Sequence, residues 1–251
     1  MRLGLIADIH GNVPALRAVL AELKRDEVDR VVCLGDVAIG PQPTETTELI
    51  RSLDCDVVRG NWDEYFVNGF PEPRTELSRR LYDMGAWAVE VMSPRVRDYL
   101  ASLELLALIE LAPEVRLLAF HGSPRSTEDW IVATTADGEV ERMLAGFQAP
   151  LLVGGHTHFQ LLRRLGDSVF VNPGSVGLPF RRPAPVMDIC PWAEYGLVEA
   201  ADGRLSVDLR RTAFDVEELR RIILASGMPH AAWWADRWIT AEPVAAPSAD
   251  G

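Results

Sequence analysis

The chain opens with an apolar run, LGLIADI (3–9), followed by NVPALRAVLAELKRD (12–26), in which Leu16, Leu20 and Leu23 recur at helical spacing. This pattern predicts a strand and then an amphipathic helix, the helix started by Asn12 and Pro14. RVVCLG (30–35) predicts a second strand, TETTELIRSL (44–53) a helix opened by a capping Thr44, and CDVVRG (55–60) a third strand. A βαβαβ opening implies parallel strands whose loops gather at their carboxyl ends. Residues 62–112 are polar and amphipathic, with helices expected over 75–91 and 94–103. Strands return at VRLLAFHG (115–122) and APLLVGG (149–155), separated by the helical pattern GEVERMLAGF. Beyond residue 159, closely spaced strands at 159–165, 168–172, 194–200 and 204–212 favour antiparallel pairing. A last helix, DVEELRRIILAS (215–226), is capped by Asp215.

The pattern predicts one α/β domain over 1–240, with a helical insert at 62–112 and a frayed tail at 241–251. In PHAAWWADRWI, residues His230, Trp233, Trp234 and Trp238 fall on one face of a further helix. Such a stripe predicts core packing, or a dimer contact if the face is exposed.

Composition changes the picture in two ways. The formal net charge of −12 argues against a broad basic face for long nucleic acid. A small phosphorylated substrate stays open, because bound cations reverse the local field of a site. Cys33, Cys55 and Cys190 show no paired spacing, which predicts buried thiols in a reducing cytoplasm. MRLGLIADIHG is interrupted by charge too early for a signal peptide. No apolar run approaches the roughly 20 residues that cross a bilayer, so a soluble, cytoplasmic protein without a membrane partner is expected.

Residues with metal-ligand chemistry follow one strand after another: Asp8 and His10, then Asp36, then Asn61 and Asp63, then His121, then His156 and His158. Four of the five histidines sit at such points. Neutral imidazole and carboxylate oxygen suit divalent first-row ions such as manganese, iron, zinc and nickel. With no cysteine near these motifs, a thiolate zinc site is not expected. Seven ligands exceed what one catalytic ion takes, which points to two ions sharing a bridging carboxylate.

The ordered motifs Asp8/His10, Gly35-Asp36, Gly60-Asn61-Trp62-Asp63, His121-Gly122 and Gly155-His156-Thr157-His158 resemble those of the calcineurin-like metallophosphoesterase superfamily. GDVAIGPQP, FHGSP and VNPGSVGLP further resemble its compact bacterial phosphodiesterases and phosphatases. The resemblance implies a four-layer α-β-β-α sandwich of two mixed β-sheets flanked by helices, with a binuclear centre at the strand ends. It assigns Asp8, His10, Asp36 and His158 to one metal, and Asp36, Asn61, His121 and His156 to the other. It implies hydrolysis of phosphodiesters or small phosphomonoesters through a hydroxide bridging the metals, with Asn61, Asp63 and His121 in the catalytic set. The departure is Trp62, where many members carry a His paired with the following acid. Loss of that imidazole leaves an alternative from another class, a metal-binding interaction or scaffold module with vestigial catalysis. Arg181 and Arg182 are candidates for substrate phosphate, and Asp129 and Trp130 for lining the cleft. Asn172, Gly174 and Ser175 are read as support for the site. The expected partner is a small phosphorylated molecule, and a homo-oligomer is open.

Overall fold

The computed structural model describes residues 1–113, 115–201 and 204–238; the expected frayed tail at 241–251 lies outside them. The first half runs β1 (Arg2–Ile6), α1 (Val13–Arg25), β2 (Arg30–Cys33), α2 (Pro43–Arg51), β3 (Asp56–Val57), α3 (Asn61–Asn68), α4 (Glu76–Val91) and α5 (Pro94–Ser102). Then come β4 (Ala107–Ala112), β5 (Val115–Ala119), α6 (Asp137–Leu144), β6 (Leu151–Val153), β7 (Gln160–Leu165) and β8 (Ser168–Pro173). The chain continues through β9 (Phe180–Arg182), β10 (Asp188–Ile189), β11 (Trp192–Ala201), β12 (Arg204–Ala213), α7 (Val216–Ala225) and α8 (Ala231–Ala235).

Two mixed five-stranded sheets form the centre, in the orders β12-β11-β1-β2-β3 and β4-β5-β6-β8-β7. Strands β1, β2 and β3 are parallel, as are β5, β6 and β8. Both faces of β1 are buried, so its sequence reads as a continuous apolar run. Leu3 and Leu5 meet Leu117, Leu151 and Val171 of the opposite sheet, while Ile6 faces Leu16 and Leu23 of α1. Gly4 lets α1 lie close, since a Cβ there would stand 2.7 Å from Leu23 Cδ2. On the far side, Val140 and Leu144 of α6 cover Leu118, Leu152 and Phe170. The layers are therefore helix, sheet, sheet, helix.

Local signals explain most of the boundaries. Asn12 accepts the Ala15 amide at 3.0 Å and Asp215 accepts that of Glu218 at 2.8 Å, so both act as N-caps. Thr44 is no cap. Helix α2 starts at Pro43, whose missing N–H needs no partner, and Gln42 precedes it. The expected third strand shrinks to two residues because Asn61 already turns into α3. The insert ends earlier than its polarity suggested: 107–112 is β4, with Ile109 and Leu111 buried and Leu108 exposed. Strand β8 pairs with β6 in parallel, although its hairpin partner β7 is antiparallel. The Trp-rich helix is shorter than its spacing implied. Helix α8 covers five residues, and Trp238 leaves it to pair beside Ile189. Trp234 and Trp238 are buried as core, and His230 Nε2 lies 2.8 Å from Asp83 Oδ2.

Leu117 has no exposed surface and sits between the sheets. Leu117→Ala is expected to lower unfolding free energy by about 3 kcal/mol in urea titrations. A loss below about 1 kcal/mol would mean that the intersheet layer is not the main core.

Candidate metal centre

Five parallel strands deliver the seven candidate ligands. Asp8 and His10 follow β1, Asp36 follows β2, Asn61 opens α3 after β3, His121 follows β5, and His156 and His158 follow β6. Asp8, His10, Asp36, His156 and His158 all hold left-handed backbone, with φ of 54°, 50°, 55°, 66° and 61°. Residues with a Cβ rarely adopt this conformation, and its strain concentrates at functional sites. It turns alternate side chains, such as those of His156 and His158, into one space.

Each carboxylate is anchored by one oxygen and offers the other. Asp8 Oδ2 accepts the His156 amide at 3.0 Å, and Asp8 Oδ1 is buried without a partner. Asp36 Oδ1 accepts the Trp62 amide at 2.8 Å. Its Oδ2 lies 3.8 Å from His10 Nε2 and 3.6 Å from His121 Nε2. Backbone carbonyls set the ring orientations: His121 Nδ1 is 2.6 Å from Leu34 O, and His158 Nδ1 is 2.7 Å from Leu178 O. A carbonyl only accepts, so these contacts place protons on Nδ1 and turn both Nε2 atoms inward.

The inward atoms crowd one another. His10 Nε2 and His158 Nε2 stand 3.1 Å apart, and Asp8 Oδ1 is 3.4 Å from His158 Nε2 and 3.9 Å from His121 Nε2. Asn61 Oδ1 lies 3.1 Å from His121 Nε2, and His156 Nε2 has no hydrogen-bond partner. With bonds of about 2.1 Å, two ligands on one ion stand about 3–4 Å apart, which this cluster matches. Two overlapping sets, Asp8-His10-His158 and Asp8-Asp36-His121, each have donor atoms within 4.8 Å of one another. Asp8 joins both sets, so bridging capacity is not confined to Asp36.

Electrostatics agrees with a cation-binding role. Burial, with His158 beside it, pushes the His10 imidazole down to about 4; burial, with His121 nearby, does the same for His156. Burial opposes charge on His121 as well, but Asp36 and Asp8 outweigh it and raise its pKa to about 9. Burial likewise works against charge on Asp8 and Asp36, yet neighbouring histidines hold both below the usual carboxylate range. Two ionised, buried carboxylates with unsatisfied donor atoms around them fit divalent cations.

Asp63 holds the backbone beside the ligands. It is wholly buried and accepts the amides of Asp36 (2.8 Å), Gly60 (3.0 Å) and Val37 (3.2 Å). It thus ties the loop after β2 to the first turn of α3, and both its oxygens are occupied. Gly60 is required beside it, since a Cβ there would stand 2.2 Å from Asp36 Oδ1. Ser175 Oγ donates to the Asp8 carbonyl at 2.7 Å, and Asn172 Nδ2 donates to the Gly155 carbonyl at 2.6 Å. These are the supporting contacts expected of the Asn172–Ser175 loop.

The structure does not bring Arg181 and Arg182 to the centre. Both are exposed on β9, and Arg182 pairs with Asp188. Asp129 accepts the Ser123 hydroxyl at 2.6 Å, while Trp130 stands edge-on to His156 with ring centroids 5.5 Å apart. A cavity of about 190 Å³ opens on His10, Asp36, Asn61, His156 and His158. Its other walls include Trp62, Leu81, Trp130, Phe180 and Met187. Sequence reasoning did not identify Leu81, Phe180 or Met187. Their one signal was an apolar residue in an otherwise polar setting, which a core position produces equally well.

Residues 1–190 match the model of the calcineurin-like phosphoesterase superfamily domain. The chain belongs to that superfamily. Membership places it among phosphoesterases, and thus among hydrolases in general. A metallophosphoesterase from Sphaerobacter thermophilus is 25% identical with a TM-score of 0.73, covering 94% of this chain and 97% of its own. A hypothetical protein from Pyrococcus horikoshii OT3 shares the fold at 23% identity and TM-score 0.76, with 91% and 94% covered. An uncharacterized protein of Methanocaldococcus jannaschii is 27% identical over an aligned length of 253, covering 94% of this chain and 96% of that protein. Among the described residues no helix is long and apolar enough to cross a membrane.

Two outcomes follow for this member of the superfamily. Asp63→Ala leaves three amides without an acceptor and frees Asp36, so manganese affinity is expected to fall 10–100-fold by calorimetry. Unchanged affinity would show that Asp63 does not position the ligands. The second concerns pH. The pKa of His121, raised to about 9, stabilises the folded, metal-free state fully below the unfolded value near 6.5. That contribution fades as pH rises through about 9. A cation replaces this proton, so manganese binding at pH 7–8 should release about one proton per chain and tighten as pH rises. Binding heats that are identical in buffers of different ionisation enthalpy would contradict it.

Proposed function

We propose that the protein is a phosphoesterase that uses two divalent cations to hydrolyse phosphodiesters or small phosphomonoesters. One observation carries this reading: unpartnered Asp8 Oδ1 and His156 Nε2 converge with the facing His10 and His158 nitrogens at the ends of β1 and β6. In this reading Asp8, His10, Asp36 and His158 hold one ion, and Asp36, Asn61, His121 and His156 the other. Bound there, the ions would supply Lewis acidity, drawing negative charge from a phosphoryl group and acidifying a water for attack.

The chain's own residues do the rest. Asp8 and Asp36 supply the buried negative charge that retains the cations. The Leu34 and Leu178 carbonyls hold His121 and His158 in the tautomers that present Nε2. The Trp62 amide fixes Asp36, while the Trp62 indole lines the cavity beside the centre and cannot donate a proton to a departing alkoxide. General acid catalysis typically contributes 10²–10⁴-fold, so the site suits esters whose leaving groups depart without it. Trp62 is also the observation that favours a second reading, an interaction module that keeps its metals without turnover.

Purified protein supplied with manganese is expected to hydrolyse activated mono- or diesters, and Asp36→Asn to lose that turnover. Two bound ions per chain with no turnover of any ester would favour the module. Trp62→His should improve turnover of esters with poor leaving groups and leave metal content unaltered. Loss of metal in that variant would mean that the indole supports the loop rather than shaping the reaction.

A further inference from the structure

The cavity beside the centre has a chemical character that the ligand cluster does not explain. Its polar lining consists of candidate ligands, namely His10, Asp36, Asn61, His156 and His158. Every other lining residue is apolar, and none is Lys or Arg among the described residues. Separate segments build the walls: Trp62 from α3, Leu77 and Leu81 from α4, Trp130 after β5, Phe180 and Met187 around the β9–β10 hairpin, and Trp234 from α8. Phe180 stacks on His158 at 4.4 Å between centroids and 9° between planes, and Trp130 stands at the rim, 46% exposed. The arginines in reach by sequence, Arg181 and Arg182, turn away from this space.

A phosphate ester held at the centre has this space open to one substituent; a second cavity, of about 550 Å³ and more polar, is lined by His121, Ser123, Arg125 and Glu128. A second phosphate in the apolar space would lose its water and meet no cation beyond those of the centre. An aromatic ring would lose little and gain contact with indole and phenyl faces. Size narrows the choice. The cavity measures about 190 Å³, and an apolar cavity of roughly 150 Å³ holds one benzene ring. Ions and a phosphoryl group held by His10, Asp36, Asn61, His156 and His158 would take part of that volume, so the remainder suits no more than one ring or a compact apolar group of that bulk.

We infer that the phosphoesterase substrate carries a single aromatic ring beside its phosphate, seated between Trp62, Trp130 and Phe180. This rests on the functional reading above, but the cavity and the catalysis can be tested apart.

The test titrates manganese-loaded protein with phenylphosphonate, methylphosphonate and pyrophosphate, following heat and tryptophan emission, since Trp62, Trp130 and Trp234 line the cavity. Phenylphosphonate is expected to bind on the order of 30-fold tighter than methylphosphonate, from burial of one ring, and to quench emission. Trp130→Ala, a change at an exposed rim residue, should reduce that preference several-fold with metal content and methylphosphonate binding unaltered. Phenylphosphonate binding no tighter than methylphosphonate, or pyrophosphate binding tightest, overturns the inference. Absence of turnover for every ester, with the phenyl preference intact, removes the phosphoesterase reading and leaves the ring site standing. Turnover without the preference does the reverse.

Discussion

Two ionised carboxylates, Asp8 and Asp36, lie buried within 4.8 Å of each other and of the His121 nitrogen, and the site depends on holding them there. Burying like charges together is costly unless something positive stands between them. In the metal-free protein the proton on His121 partly fills that role. A divalent cation fills it better, because it also satisfies the donor atoms of Asp8 and His156 that have no partner. A cation bound there would thus relieve an electrostatic cost that the fold creates.

The fold can create it because both sheets end their parallel strands at one edge. The chain leaves β1, β2 and β6 through left-handed residues, which turn their side chains toward the centre. The strain of five such positions is balanced by bonds that fix the loops. Asp63 collects three amides, Ser175 holds the Asp8 carbonyl, and Asn172 holds the Gly155 carbonyl. The intersheet core of Leu3, Leu5, Leu117 and Leu151 supplies the rigid frame beneath. A misplaced strand end would move ligands by more than a metal bond tolerates, which ties packing to function directly.

The surroundings of the centre differ sharply from its ligands in character. An imidazole at position 62 would add a proton donor; an indole adds a wall instead. Together with Phe180 and Trp130, that wall makes this cavity apolar away from the ligands. No arginine or lysine lines this cavity, and Arg125 lies in the separate cavity that His121 borders.

Much of this was written in the sequence. The helix and strand periods, the Asn12 and Asp215 caps and the order of ligand motifs are local properties, readable because each depends on neighbours a few residues away. Asp8, His10, Asp36, Asn61, His121, His156 and His158 stood out as a set, because each motif follows a strand and two histidines in a Gly loop have few structural uses. Tertiary structure decided what local signals could not. It made Asp63 a backbone tether, since its three partners come from two different loops. It sent Arg181 and Arg182 to the surface, and it gathered Leu77, Leu81, Phe180, Met187 and Trp234 into one wall. Those residues look like ordinary core in sequence. Whether an apolar side chain fills a core or faces a reaction centre depends on which distant segment packs beside it, and that is settled only when the whole chain folds.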